Sequence, residues 1–315
     1  MIIDNFTLMI PVRNRHYNLP KIFKYYEDLE CEKIIADSSL EKYKNDIPSS
    51  FTYLYYGTKY VYEKYYDVVK KINSKYFLYC PDDDIVLKSS IQTCINFLNN
   101  NQTYSSCDGE YFELLNDVVP KYPESICNCI NGNFENSSYI ERLKFFFKIN
   151  VNEKNYYPRV HSVVKTELVK IIYKNIVQNK NEWAIGFTDL FFTFILSIMG
   201  NLKTLPILYQ IKKVGDRLIE KLYIKNEMNV NELLINNVND QNIDNKLKIF
   251  AEILSIKESI SLEKALEIVK DLFVNFRIGI DSRQNIEKKN IKYKFSITDE
   301  KYKNEITLIK KLILE

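Results

Sequence analysis

A chain of 315 residues, 46% of them hydrophobic, can bury a sizeable core, and at about 150 residues per domain it has room for two. Lys and Arg number 44 against 41 Asp and Glu, and the resulting net charge of +3 is too small and too mixed along the chain for a polyanion-binding protein, so no nucleic-acid partner is expected. Only 7 residues are glycine, the closest two being Gly186 and Gly200, which excludes a GxGxxG dinucleotide fingerprint and a glycine-rich phosphate loop.

In chain order, Met1 to Asp4 offers no basic stretch ahead of an apolar one, so no secretion signal is expected. Phe6 to Val12 (FTLMIPV) is an apolar run suited to a strand buried on both faces, ending at Arg13-Asn14-Arg15. Asn18 and Pro20 mark a helix start, with Ile22, Phe23 and Tyr26 on one face. Lys33 to Ala36 forms a second strand ending at Asp37-Ser38-Ser39, and Phe51 to Tyr56 a third, closed by Gly57. Glu63 to Ile72 is a helix with Tyr66, Val69 and Ile72 inward, and Tyr76 to Cys80 is a fourth strand. After Pro81-Asp82-Asp83-Asp84, another helix carries Ile91, Cys94, Ile95 and Leu98 at helical spacing.

Residues 111–158 hold Pro120, Pro123, Gly132 and many Asn, and read as a long surface connection. Order returns with Arg159 to Val164 and continues as helix to Met199; Leu190 to Met199, the most lipid-like stretch, falls well short of the roughly 20 residues that span a bilayer. Beyond Gly215 the chain becomes helix and Asn-rich connection, with one helical face at Ile243, Leu247, Phe250 and Leu254 and another at Leu262, Leu266, Val269, Phe273 and Phe276. Ile291 to Ile297 alternates like a small strand, and a terminal helix follows Asp299. The six cysteines, Cys31, Cys80, Cys94, Cys107, Cys127 and Cys129, form no CxxC pair, and with two histidines in the chain no tetrahedral zinc site is expected. Reduced, mostly buried thiols in a cytoplasmic protein are the expectation.

The strand–helix rhythm of the first 110 residues implies an α/β fold whose mainly parallel sheet is flanked by helices. Ligands of such sheets sit beyond the carboxyl ends of the strands. Arg13 to Arg15, Asp37 to Ser39 and Asp82 to Asp84 all fall there and should face one crevice. Three consecutive carboxylates are costly to place together unless a positive charge neutralises them, and a divalent cation bound through oxygen ligands would do so. The alternative is a solvated acidic turn at the head of the next helix.

IPVRNR (Ile10 to Arg15), ADSS (Ala36 to Ser39), YYG (Tyr55 to Gly57) and PDDD (Pro81 to Asp84) together resemble the GT-A glycosyltransferases of the family-2 type, in particular a bacterial subgroup. The resemblance covers residues 6 to about 110 well and continues weakly to about 215. It implies a GT-A domain over 1–215, divided into a nucleotide-binding half (1–110) and an acceptor half (111–215), followed by a mostly helical region over 216–315. It implies a nucleotide-sugar donor, a Mg2+ or Mn2+ cofactor, and a surface-glycan or lipid-linked acceptor. Carried over residue by residue, Pro11, Val12 and Arg13 would border the base and ribose, with Arg15 also on the nucleotide side, and Asp37 would hydrogen-bond the base. Asp82 would contact the ribose, Asp84 would ligate the metal, and Asp83 would share either task. Lys64 either approaches the nucleotide or is a solvated surface lysine.

An inverting transfer also needs a carboxylate to take the acceptor's proton. The family places an acid at the head of a helix about a hundred positions after the metal motif, often as Phe-x-Glu-Leu; here the sequence reads Phe187-Thr188-Asp189-Leu190. Asp189 interrupts an apolar segment, where burial would raise its pKa; it could equally cap the following helix. Glu182 is the reserve, and Trp183 either stacks on a sugar or fills the core. His161 could add a metal or phosphate ligand or be purely structural, and His16 is expected at the surface. The pairs Tyr55-Tyr56, Tyr65-Tyr66 and Tyr156-Tyr157 suit either a carbohydrate site or core packing. Lys288, Lys289, Lys292, Lys294, Lys310 and Lys311 suit peripheral contact with an anionic membrane, or simply a solvated face. Two other classes compete: a sugar-nucleotide nucleotidyltransferase, which would need a glycine-rich loop where Pro11 to Arg15 stands, and a non-catalytic glycan-binding scaffold.

Overall fold

The structure, a computed structural model, describes residues 1–115, 133–152, 159–180, 187–214, 241–283 and 300–314. The first half alternates β1 (Ile2–Val12), α1 (Leu19–Tyr26), β2 (Glu30–Asp37), β3 (Thr52–Tyr55), α2 (Val61–Val69), β4 (Tyr76–Tyr79), β5 (Asp84–Val86), α3 (Lys88–Asn100) and β6 (Tyr104–Leu115). The second half holds α4 (Tyr139–Asn152), β7 (Val163–Lys165), α5 (Thr166–Gln178), α6 (Phe187–Met199), β8 (Asn201–Val214), α7 (Gln241–Glu258), α8 (Leu262–Arg283) and α9 (Glu300–Leu314).

All eight strands join one sheet in the order β3-β2-β1-β4-β7-β6-β8-β5. The run β3-β2-β1-β4 is parallel, as expected. Beyond β4 the sheet is mixed: β7 is antiparallel to both its neighbours, β6 and β8 are parallel, and β5 closes the edge antiparallel to β8. Gly109 lies where the β6–β8 register shifts, and a Cβ there would stand 2.6 Å from the Ile207 carbonyl oxygen, so the two strands approach too closely for any side chain.

Both faces of the sheet are covered. Along β1, Phe6, Leu8, Ile10 and Val12 enter one apolar cluster with α1, α3 and α9, while Met9 enters the other with α2, α4, α5, α6, α7 and α8. That is the two-residue period of a strand buried on both sides, and it explains the unbroken hydrophobic run. α6 is buried around nearly its whole circumference, which its composition requires. Phe250 of α7 packs edge-on against Phe191 and Phe194 of α6, and Phe273 of α8 stacks on Phe187. The C-terminal helices therefore share the core of the sheet.

Several expectations are corrected. Residues 139–152, read as connection, form α4, whose Leu143, Phe146 and Phe147 are buried. In the α2 region Val69 and Ile72 are buried as expected, Ile72 beyond the helix end, and Tyr66 is half-buried against the core, while Lys64, Tyr65 and Val68 also belong to the buried face. On α8, Val269 and Phe273 are buried and Leu266 packs against the core as expected, Leu262 is exposed, Ala265 and Leu272 join the inner face, and the Phe276 side chain lies outside those described. Ile291 to Ile297 lies outside the described residues, whereas the helix after Asp299 is α9. Cys31, Cys80, Cys94 and Cys107 are free thiols, the last three buried; Cys127 and Cys129 are outside the described residues. Among the described residues no helix is long and apolar enough to cross a membrane.

One buried ion pair braces β6, β8 and the segment that leads into β7. Arg159, ahead of β7, donates to Asp108 of β6 and to the Lys203 carbonyl at 3.3 Å, and its guanidinium lies over the Phe134 ring. Thr204 donates to the same Asp108 oxygen at 2.9 Å. Removing one partner leaves a buried charge without compensation, so Arg159→Met is expected to cost about 3–5 kcal/mol. Urea denaturation should also find that adding Asp108→Leu to Arg159→Met recovers much of that loss.

Candidate active site

β1, β2 and β4 run parallel and end on the same edge, with Val12 in register with Asp37 and Asp37 with Tyr55. The loops that follow are held to one another by side chains. Asn14 takes a left-handed conformation (φ 56°), its N–H donates to Ser39 Oγ at 2.7 Å, and its Oδ1 accepts from the Leu40 N–H at 3.0 Å. Asparagine tolerates this conformation better than other residues with a Cβ. The turn places Arg15 against the acidic loop after β4.

There Arg15 uses its whole guanidinium fork. Nε donates to Asp82 Oδ2 at 3.1 Å, one terminal nitrogen donates to Asp82 Oδ1, and the other donates to Asp83 Oδ2 at 2.6 Å. Asn18 adds a bond to Asp82 Oδ2 at 3.2 Å. Burial pushes the Asp82 carboxyl up to about 6, with Arg15 opposing and Asp83 adding to the rise. Asp83 is the more open of the two, its side chain 20% exposed.

Asp84 sits elsewhere. It begins β5, and its buried carboxylate accepts from Gln210 Nε2 of β8 at 2.7 Å. His161 lies beside Tyr79, with Nδ1 3.4 Å from the Tyr79 carbonyl oxygen, and burial pushes its pKa down to about 4. The set Asp82, Asp84 and His161 is not brought together: among the described residues no three His, Cys, Asp or Glu side chains could hold an ion. Asp82 and Asp83 offer two adjacent oxygen donors, which suits Mg2+ or Mn2+ when substrate phosphates complete the coordination.

Beneath the loops, Lys64 is 1% exposed, which rules out the surface-lysine reading. Its ammonium places all three donors, on the Val12 carbonyl at 3.3 Å, the Ala36 carbonyl at 3.0 Å and Ser38 Oγ at 2.9 Å. It thereby joins the carboxyl ends of β1 and β2, and burial lowers its pKa to about 7 against the pull of Asp37 and Asp82. Pro11 and Val12 are buried within β1, and Arg13 is exposed. Asp37 is enclosed, accepting from Ser39 N–H, Tyr53 OH and His16. His16, expected at the surface, is half-buried in that network; nothing in its neighbourhood along the chain signals the pairing, which depends on β2.

On the other side stands Asp189, in the first turn of α6. Its carboxylate has no hydrogen-bond or ion-pair partner among the described residues, and burial alone pushes it up to about 6. Four tyrosines feel its charge: Tyr62, Tyr65, Tyr79 and Tyr173. Tyr65 also feels Asp82 and Arg15, so its hydroxyl lies within electrostatic reach of both the clasped acids and Asp189. The Tyr65 and Tyr79 hydroxyls meet at 3.0 Å, and Tyr62 bonds Thr188, fixing the start of α6. Tyr55 is exposed at the rim. Glu182, Trp183 and Tyr156-Tyr157 lie outside the described residues, as do Lys288, Lys289, Lys292 and Lys294; Lys311 is on the exposed side of α9.

No protein-family model matches the chain, and no curated protein matches it in sequence. Among solved structures it is similar to S. aureus TarS residues 1–349, at 11% identity and a TM-score of 0.45 over 94% of this chain and 95% of that one. The same TarS segment in complex with UDP-GlcNAc gives 13% identity and a TM-score of 0.46 over the same shares. A longer TarS chain gives 13% and 0.45, over 89% of this chain and 55% of that one. What the site can do follows from its side chains, not from this likeness.

The raised pKa of Asp189 has a consequence for stability. A carboxyl whose folded pKa lies above its unfolded value favours folding below the unfolded pKa, and that contribution is lost as pH rises through the folded one. Asp189→Asn should therefore leave stability unchanged near pH 3.5 and raise it at pH 8 by on the order of 1–2 kcal/mol. Urea denaturation at both pH values tests this; equal stability of variant and parent at pH 8 would mean that the carboxylate is neutralised in solution.

Proposed function

We propose that the chain is a nucleotide-sugar-dependent, inverting glycosyltransferase of the GT-A type. The observation that carries this reading is that two unlike acid sites lie within electrostatic reach of Tyr65: Asp82 and Asp83 clasped by Arg15, and Asp189 with no partner among the described residues. The first suits the donor's charged half, since Arg15 can move its donors from carboxylates to diphosphate oxygens without leaving the site. A bound Mg2+ or Mn2+ ion, held by Asp83 and Asp82, would supply Lewis-acid neutralisation of the departing diphosphate.

Asp189 suits the other half of the reaction. Its carboxylate accepts the proton of the acceptor hydroxyl as that oxygen bonds to the anomeric carbon; the bond from that carbon to the diphosphate breaks, and its electron pair leaves with the nucleoside diphosphate. Attack from the face opposite the leaving group inverts the centre. A pKa near 6 keeps Asp189 ionised at neutral pH yet basic enough to share the proton in the transition state. Tyr62 and Tyr79, half-buried and backed by the buried rings of Tyr65 and Tyr173, are aromatic side chains of the kind that bind a saccharide acceptor, in this reading a glycan or lipid-linked hydroxyl.

A thermal-shift panel of nucleoside diphosphates with Mg2+, Mn2+ or EDTA tests the donor side. Stabilisation is expected with metal and not with EDTA, and Asp83→Asn should weaken it; equal stabilisation with and without metal, and in the variant, sinks the metal-bridged donor. On the acceptor side, kcat for release of nucleoside diphosphate from a nucleotide sugar should rise with pH through about 6 and level off. Asp189→Asn should lower it by about 10²–10⁴-fold.

A further inference from the structure

Beyond the tyrosines around Asp189 stands one further ring. Tyr62 bonds the hydroxyl of Thr188, the residue before Asp189, and feels the Asp189 charge, so it stands next to the proposed base. On one side Tyr62 meets Tyr65 with ring centroids 5.9 Å apart, and Tyr65 meets Tyr79 at 5.2 Å. On the other side Tyr60 meets Tyr62 edge-on at 5.5 Å. Exposure rises along this line: Tyr65 is buried, Tyr62 is half-buried and Tyr60 is 37% exposed. The rings form a file that runs from the neighbourhood of Asp189 out to solvent.

The backbone beneath the outermost ring is anchored. Tyr60 stands at the head of α2, and its carbonyl accepts from the Lys64 N–H at 3.1 Å. The Lys64 ammonium holds the carboxyl ends of β1 and β2, so the head of α2 is tied to the strand edge that carries the site. A platform on an anchored backbone loses less freedom when a ligand covers it. The charged side chains that flank Tyr60 in the chain are paired, Lys59 with Asp67 and Glu63 with Lys180 at 3.0 Å. An aromatic ring bordered by hydroxyls and by paired charges suits an uncharged, hydroxyl-rich ligand with an apolar C–H face, which is the chemistry of a sugar ring. The 5.5 Å step from Tyr62 to Tyr60 is also close to the advance of one residue along a saccharide chain.

We propose that Tyr60 forms a second acceptor subsite: the sugar that bears the attacking hydroxyl lies against Tyr62 and Tyr79, and the next sugar of the acceptor chain lies on Tyr60. The acceptor is then an uncharged oligosaccharide of at least two residues rather than a monosaccharide or an anionic chain. This assignment rests on the glycosyltransferase reading above and adds to it the length and charge of the acceptor.

Arrays of chito-, malto-, cello- and galacto-oligosaccharides, printed as chains of one to four residues beside hyaluronan fragments as the anionic series, test it with labelled parent chain, Tyr60→Ala, Tyr60→Leu and Tyr60→Phe. At least one neutral series should bind the parent about five- to tenfold more tightly as a disaccharide than as a monosaccharide. Tyr60→Ala and Tyr60→Leu should shrink that step to less than about twofold, and Tyr60→Phe, which keeps the ring, should retain it. Tyr60→Leu keeps apolar volume without a ring, so it decides the question if the alanine variant is unstable. Equal binding of one- and two-residue chains by the parent, a step that survives in Tyr60→Leu, preference for hyaluronan over every neutral series, or binding to none of them would overturn the subsite. Thermal shift of the same parent with nucleoside diphosphates and Mg2+ separates the two readings. Stabilisation without a length step overturns the subsite alone, whereas no stabilisation by any of them overturns the nucleotide-sugar reading beneath it.

Discussion

The contact on which the site depends is that of Arg15 with Asp82 and Asp83. Two like charges about 4 Å apart repel by roughly 4 kcal/mol at an effective dielectric near 20, an amount comparable with the net stability of a domain. A guanidinium lying against both reverses the sign of that interaction and dictates where the loop after β1 must run. The left-handed turn at Asn14 follows from this, because it directs Arg15 toward the acids while its own side chain and N–H hold Ser39 and Leu40. Lys64 then fixes the strand ends from below. Four segments distant in sequence are thus positioned by charge and hydrogen bonding rather than by apolar packing.

Asp189 is the opposite case. It stands in the first turn of a helix whose other residues are almost all buried and apolar, with no cation or donor on it among the described residues. The helix N-terminus offsets part of the cost of its charge, but packing alone gives no reason for an acid there. A half-buried carboxylate with no partner among the described residues, alongside a pair neutralised by Arg15, makes two chemically unlike acid sites: one already compensated, the other able to take a proton.

Much of the fold was legible because it is local. The run Phe6 to Val12, the helical spacing of Ile91, Cys94, Ile95 and Leu98, and the polar strand ends needed only periodicity and turn chemistry, and each stands where expected. Val69 and Ile72 of the α2 region are buried as the spacing predicts, but Lys64 is not predictable from spacing, because its burial depends on carbonyls from two other strands. α4 was missed among prolines and asparagines that mask a Leu143–Phe147 face. Asp82, Asp83 and Asp84 are consecutive, yet Arg15 holds the first two in the loop while Asp84 begins β5 and accepts from Gln210, far along the chain, a division that spacing alone does not show. The His16–Asp37 pair was invisible for the same reason: it is created by strand pairing, not by spacing.

The way α9 is fastened bears on how the site assembles. Glu305 accepts from the Lys88 N–H at 2.8 Å and from Ser89 Oγ at 2.8 Å, and also bonds the Tyr25 hydroxyl, so it caps the first turn of α3 and braces α1. The capped turn begins four residues after Asp84, and its acceptor lies 217 residues further along the chain. During synthesis, the helix that follows the acidic loop therefore lacks its N-terminal partner until residue 305 has emerged. Closures at such sequence separation are slow to form. The first half of the chain can gain its secondary structure early, but the first turn of α3 acquires its cap late, from a helix far along the chain.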